Sequence, residues 1–369
     1  MMKPTHNDTE PPKLEILEEV PLNGGPSSPY ITDQFNTPNP LFFKRNHASI
    51  PEVDVQNYRL TIDGLVERPL TFTMDEVRQN YPKHTLSAVL QCAGNRRVEM
   101  EKFGEIPNEL IWNLQAVSNA EWSGVRLGDI LRSAGVDETQ PYHVVFEGLD
   151  QCTKNDQTFP FGASIPLEKA LQPESLLAYE MNHEPLPLEH GFPLRAVVGG
   201  YIGARSVKWL TKITVQAEPS DNYYQTHAYK LFASHITPEN VNWDEGGFML
   251  GEVAINSVIT SPAEGETLPE GKVAIKGYAF SAGKHIERVD VSIDGGNTWT
   301  QAQLQRDESP WAWCLWHTEI PLSVGNYTLV VRAFDSAANT QPERVESIWN
   351  FKGYMNNAWH KVHIEVSDV

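Results

Sequence analysis

The sequence predicts an α+β fold in two parts: a mixed segment of strands and short helices, then an all-β segment forming a sandwich of immunoglobulin-like size. Three observations carry this. A chain of 369 residues exceeds what one hydrophobic core usually organises. Strand and helix signals mix from Ile31 to about Trp243 without regular βαβ alternation. After about Gly251 the helix signals vanish, and short alternating strands recur with turn residues between them. The expected division is 31–245 and 246–369, preceded by an arm over 1–30. That arm is rich in Pro, Glu, Asn and Gly, lacks a sustained period, and reads as extended or disordered.

Along the first part, Tyr58-Arg59-Leu60-Thr61-Ile62 alternates as a strand does, and Asp63-Gly64 supplies a turn. Thr73-Met74-Asp75-Glu76 has the spacing of a capping box, so a short helix is expected through Gln79. A second helix is expected over Val125–Ala134, closed by Gly135, and a third begins at Pro166 and stops before Pro173. Between them lie the strand-like runs 144–146, 176–179, 194–198 and 213–215. In the second part 273–278, 289–293 and 327–331 alternate, and Asp294-Gly295-Gly296-Asn297 is a hairpin turn. Trp299, Trp311 and Trp313 are available for core or interface.

An apolar share of 40%, with 10 Trp, 12 Tyr and 14 Phe, gives ample core material. The net charge of −19 repels polyanions, which argues against nucleic acid and anionic membrane surfaces as partners. An anionic substrate therefore needs a local basic pocket. No apolar run is long enough to span a bilayer, and the first 20 residues are polar and acidic, not signal-like, which makes the cytoplasm the default expectation. The 3 cysteines, Cys92, Cys152 and Cys314, form neither a fully paired disulfide set nor a Cys-x-x-Cys site.

The most informative segment is Leu90-Gln91-Cys92-Ala93-Gly94-Asn95-Arg96-Arg97. A strand delivers a cysteine into a small-residue turn followed by two guanidinium groups, which favour thiolate, and Ala93 and Gly94 leave room for a bulky ligand. By itself this permits a redox-sensing thiol, a nucleophile or a metal ligand.

With further blocks in order, the sequence resembles the sulfite oxidase family, including the molybdenum domain of eukaryotic nitrate reductases. Those blocks are Phe42-Phe43-Lys44-Arg45-Asn46-His47, Glu121-Trp122-Ser123-Gly124-Val125, residues 162–166 and 177–182, His190-Gly191-Phe192-Pro193-Leu194-Arg195, and Gly203-Ala204-Arg205-Ser206-Val207-Lys208-Trp209. Residues 349–353 and 357–360 look like the family's terminal strands. The resemblance implies a molybdopterin-binding domain of the sulfite oxidase type followed by a dimerisation domain, hence a homodimer. It implies a molybdenum–pyranopterin cofactor with Cys92 as thiolate ligand; polarizable sulfur suits a metal that changes charge.

Carried over residue by residue, Phe43, Lys44, Arg45, Asn46, His47, His190, Arg195, Ser206, Val207 and Lys208 are expected around pterin and phosphate, where forked guanidinium groups and a lysine suit phosphate oxygens. Tyr229 is the expected active-site tyrosine, and Arg97, Arg45 and Lys352 the expected substrate cations. Lys352 stands where animal and plant members usually present arginine, so the charge is kept and the fork lost. The implied reaction is oxidation of sulfite to sulfate by oxygen-atom transfer. With no His-Pro-Gly-Gly haem segment in the chain, its electrons are expected to pass to oxygen or to a separate carrier such as a cytochrome. Nitrate reduction is the enzymatic alternative, which Glu180 and Tyr229 disfavour; a cofactor-free assembly or binding protein is the non-enzymatic one.

Overall fold

The computed structural model describes residues 14–368. Strands dominate and the helices are short, so the fold is α+β with the sheets carrying the architecture. Part of the N-terminal arm lies outside the described residues. The rest is not disordered: Leu14–Glu18 and Asn23–Pro26 form an antiparallel hairpin, and the second strand bridges Lys44 through Gly24. Its anchor is the fully buried Asn23, whose side-chain Oδ1 accepts from the Asn46 backbone amide at 2.7 Å. The extended alternative therefore holds for the described part of the arm, ordered by hydrogen bonding and burial against distant residues in place of a local hydrophobic period.

Two five-stranded sheets build the first part. One runs Glu184–Pro185, Ser175–Met181, Val117–Arg126, His84–Gln91, with Arg195–Val198 also pairing Ser175–Met181. The other runs Leu70–Phe72, Leu60–Gly64, Leu210–Gln216, His143–Lys154, Gln157–Pro166. The capping box forms: the Thr73 hydroxyl accepts from the Glu76 amide at 3.2 Å, Glu76 accepts from the Thr73 amide at 2.7 Å, and the helix Met74–Asn80 follows. The second helix is shorter than expected. Val125 and Arg126 finish a buried strand, and only Leu127–Ser133 is helical. The third is a single turn, Leu167–Ala170, entered from Pro166. The Asp63–Gly64 turn is displaced, since both residues belong to the strand that pairs in parallel with 212–215.

In the second part a four-stranded and a five-stranded sheet face one another across a shared apolar cluster, Ile259, Val273 and Ile275 from one, Val289, Val331, Val362 and Ile364 from the other. The alternation legible in the sequence is the inward register of these strands. Residues 349–353 are not a strand. Positive φ at Gly353 (60°) and Met355 (62°) breaks the extended backbone, and pairing resumes only at His360. Among the described residues no helix is long and apolar enough to cross a membrane.

The two parts meet on the turn that follows His84–Gln91. Arg96, fully buried at φ 64°, forks onto Glu99 with both bonds at 2.7 Å and donates to Asn256 at 2.8 Å; its carbonyl accepts from the Asn356 amide group at 3.0 Å. Asn95 reaches the Tyr278 hydroxyl at 3.3 Å, and the Met355 amide donates to Ala93 at 2.8 Å. A buried charge whose partner is removed is costly. Arg96→Met is therefore expected to lower the unfolding free energy by about 3–5 kcal/mol in chemical denaturation, because it strands Glu99; stability within about 1 kcal/mol of the parent would show that the clamp is not what joins the parts.

Candidate active site

The carboxyl end of His84–Gln91 delivers Cys92 to a cleft of about 630 Å³ of non-atom space, solvent at its mouth included. Phe42, Phe43, Leu90 and Phe161 give it an apolar wall, and Arg45, Asn46, His47, His190, Arg195, Ser206, Lys208 and Tyr229 a polar one. Cys92 is buried at 6% exposure, and its sulfur accepts from the Gly94 amide at 3.4 Å. The other two thiols are buried away from this cleft. Among the described residues no group of three or more His, Cys, Asp or Glu side chains could hold a metal. Any metal here takes a single protein thiolate and most of its ligands from elsewhere.

The cations are held by neutral groups. Arg195 donates to the carbonyls of His190 and Ser206, each at 3.0 Å, and lies 4.9 Å from the Trp122 ring centroid. Lys208 donates to Asn46 Oδ1 and to the Glu189 carbonyl, the latter at 3.0 Å. Arg45, half-buried, reaches Asn23 of the hairpin at 3.4 Å. Burial pushes the Arg195 guanidinium down to about 9. Burial, then the charge of Arg195, lowers Lys208. Arg45 differs: burial opposes its charge, but Tyr229, Cys92 and Glu109 together hold it above its usual value.

Both histidines are neutral. Burial first, then Arg45, Lys154 and Lys208, hold His47 well below its ordinary range; burial, then Lys44 and Lys208, do the same to His190. His190 Nε2 lies 2.9 Å from the Asn39 carbonyl, which can only accept, so Nε2 carries the hydrogen. The Tyr229 hydroxyl lies 2.9 Å from His47 Nε2. Burial raises the Tyr229 phenol, so the pair is a neutral hydrogen bond.

Four of the expected site residues stand outside the cleft lining. Lys44 turns to the Pro40 carbonyl at 2.7 Å, Val207 is buried beneath the wall, and Arg97 and Lys352 gather around Glu109. Gly94 is small for a different reason than room for a ligand: a Cβ there would meet the Arg97 guanidinium at 2.5 Å. The two guanidinium groups expected to favour the Cys92 thiolate are committed elsewhere, Arg96 to Glu99 and Arg97 to Leu110 and Lys352 carbonyls. Glu180 pairs with Lys83 outside the cleft.

Asp150 is the residue that sequence reasoning missed. It lines the cleft at 5% exposure, its Oδ1 is unpartnered, and burial raises its carboxyl while Lys208 opposes the rise. A signal existed. The buried face of His143–Lys154 runs Val144, Phe146, Gly148, Asp150, Cys152, so the two-residue period carried past Phe146 lands a carboxylate on the inner face.

A lone thiol, three poorly neutralised cations and an apolar wall in one cleft define a protein that binds a sizeable anionic ligand beside a thiol, and the comparisons supply its class. The oxidoreductase molybdopterin binding domain matches residues 47–224, and the Mo-co oxidoreductase dimerisation domain matches 248–367. The chain is 44% identical to the mitochondrial sulfite oxidase of Homo sapiens, covering 96% of this chain and 66% of that protein, and 39% identical to the sulfite oxidase of Arabidopsis thaliana, covering 97% and 96%. It is 37% identical to a nitrate reductase of Hordeum vulgare, of which it covers 42%. In structure it resembles the sulfane dehydrogenase SoxCD of Paracoccus pantotrophus at a TM-score of 0.80 and 29% identity, over 94% of this chain and 85% of that one. The chain belongs to the sulfite oxidase family of molybdopterin oxidoreductases.

The residues fit the family's cofactor. Against Arg45, Arg195 and Lys208 the cleft sets one carboxylate, Asp150, so a bound phosphate would relieve cation–cation repulsion and favour the charged form of Lys208. The unpartnered Asp150 Oδ1 offers an acceptor to a ring N–H, and the aromatic wall offers stacking. Lys208→Met is expected to weaken cofactor retention by at least about 10-fold, from the ~1.5–3 kcal/mol of a charge-assisted hydrogen bond. Molybdenum per folded chain after gel filtration measures it; full occupancy would place the phosphate away from Lys208.

Proposed function

We propose that this chain oxidises sulfite to sulfate at a molybdenum–pyranopterin cofactor held in the Cys92 cleft. The observation that carries the reading is that, among the three thiols, Cys92 alone lines this cation-lined cleft. Support comes from its relatives, sulfite oxidases whose match covers nearly all of this chain. When bound, the cofactor supplies the two-electron redox change and the oxygen-atom transfer; the protein supplies the rest.

Cys92 would ligate the metal, while Arg45, Arg195, Lys208, Asn46 and His190 would hold phosphate and pterin. The deep position of the thiol excludes competing thiol chemistry with solvent. One donor hydrogen of the Tyr229–His47 pair is spent within it, which leaves one, the Tyr229 O–H or the His47 Nδ1–H according to the tautomer, to orient an oxyanion without adding charge, and the buried phenol keeps its proton throughout the ordinary pH range. Arg45 contributes the attractive potential that a chain of −19 lacks elsewhere. Electrons would pass to oxygen or to a separate carrier such as a cytochrome. The paired sheets after Gly251 are proposed to be immunoglobulin-like and to mediate homodimerisation, in line with the dimerisation-domain match.

Cys92→Ser is expected to abolish sulfite turnover while leaving circular dichroism and the melting temperature close to the parent's; substantial retained turnover would remove Cys92 from the chemistry. Sedimentation at micromolar concentration is expected to give a mass near twice the 41.5 kDa of the chain. A persistent monomer there would reject the dimer.

A further inference from the structure

The cleft accounts for Arg45, Arg195 and Lys208 but not for Arg97 and Lys352, and Glu109 is the reason. One Glu109 oxygen lies 3.4 Å from an Arg97 Nη, and the other pairs with the Lys352 ammonium. All three side chains are largely withdrawn from solvent: 3% exposed for Arg97, 16% for Lys352, 14% for Glu109. Arg97 is fixed further by the carbonyls of Leu110 at 2.5 Å and Lys352 at 3.1 Å, and a Cβ at Gly353 would meet its side chain at 2.6 Å.

This cluster adjoins the cleft. The Arg97 guanidinium carbon and the Lys352 ammonium lie 5.1 and 5.7 Å from the Tyr354 ring centroid. Tyr354 stacks on Tyr229 at 5.5 Å, and Tyr229 lines the cleft with Cys92. Two cations share one carboxylate, so the cluster retains a unit of positive charge. Guanidinium and ammonium donors bond carboxylate and sulfur-oxyanion oxygens in the same way, so the resident anion is exchangeable in kind. Glu99, the acidic side chain on the same helical turn as Arg97, is committed to Arg96 and cannot take its place.

We propose that Glu109 is a built-in competitor of the anionic substrate: an oxyanion of the sulfite class docks on Arg97 and Lys352 only by displacing this carboxylate. Glu109 thereby sets the site's anion affinity and its preference for strongly charged oxyanions. The proposal rests on the reading that an oxyanion is the substrate. A tethered carboxylate competes at a high effective concentration, so singly charged anions are screened out more severely than divalent ones.

The test uses the cofactor-loaded protein and two readouts, sulfate binding by calorimetry and sulfite kinetics, at fixed ionic strength. Glu109→Gln, nearly isosteric and neutral, is expected to tighten sulfate binding about 10-fold and to lower KM for sulfite by a similar factor, with a smaller change in kcat. Lys352→Met should move sulfate binding the other way, because Glu109 then bears on Arg97 alone. Glu109→Ser, with the melting temperature followed in parallel, repeats the test should Glu109→Gln fold poorly. Sulfate binding unchanged or weakened in folded Glu109 variants overturns the proposal and leaves Glu109 a structural counter-ion. If the parent does not oxidise sulfite yet sulfate binding tightens as stated, the sulfite-oxidising reading falls and the competitor role stands.

Discussion

Burial of the Arg96 guanidinium organises this molecule. A fully desolvated charge must be met, and the guanidinium finds Glu99 on its own turn and Asn256 on the first strand of the second part, while the Arg96 backbone carbonyl takes the side-chain amide of Asn356 from the loop before the last strand. Meeting them fixes the turn 92–97 against both sheet systems. Two chemical groups hang from that turn. Cys92 begins it, Arg97 ends it, and the φ of 64° at Arg96 sends the two in different directions, one into the cleft and one toward Glu109.

The second constraint is electrostatic. The chain carries an excess of 19 negative charges, yet its cleft gathers three cations against one carboxylate. Carbonyls and an amide oxygen hold Arg195 and Lys208, so the cations are positioned without being neutralised. Such a site favours the binding of an anion. The neutral state of His47 and His190 follows from the same field, since a further positive charge there would be both desolvated and repelled.

Much of this was legible in the sequence, and the failures share one cause. The capping box at Thr73, the period-two strands after Gly251 and the Asp294 turn are local signals, and the structure keeps them because local and tertiary preferences agree. The residues brought to the cleft from 43–47, 190–195 and 206–208 were reached through ordered blocks that resemble a family; periodicity alone could not have assembled them. What misled was tertiary in origin. The N-terminal arm is extended, as one of the two alternatives had it, but the order of its hairpin comes from Asn46 and Lys44 and leaves no mark in its own composition. Arg96 and Arg97 were read as neighbours of the thiol because they follow it in sequence, whereas their hydrogen bonds lie elsewhere. Asp150 escaped because the strand period was followed only as far as its apolar residues.

The span of the Arg96 clamp bears on when the cleft can come into being. The bond from Asn356 to Arg96 joins residues 260 positions apart, and that from Arg96 to Asn256 joins residues 160 apart. Contacts of such separation form late, since the loops they close cost entropy before the contact returns anything. During synthesis the thiol and most of its surrounding cations therefore exist long before the segment that locks their turn has been made. A nascent chain short of residue 356 carries Cys92 on a turn that still lacks this clamp, so the final geometry around the thiol is set only when the second part has docked onto the first.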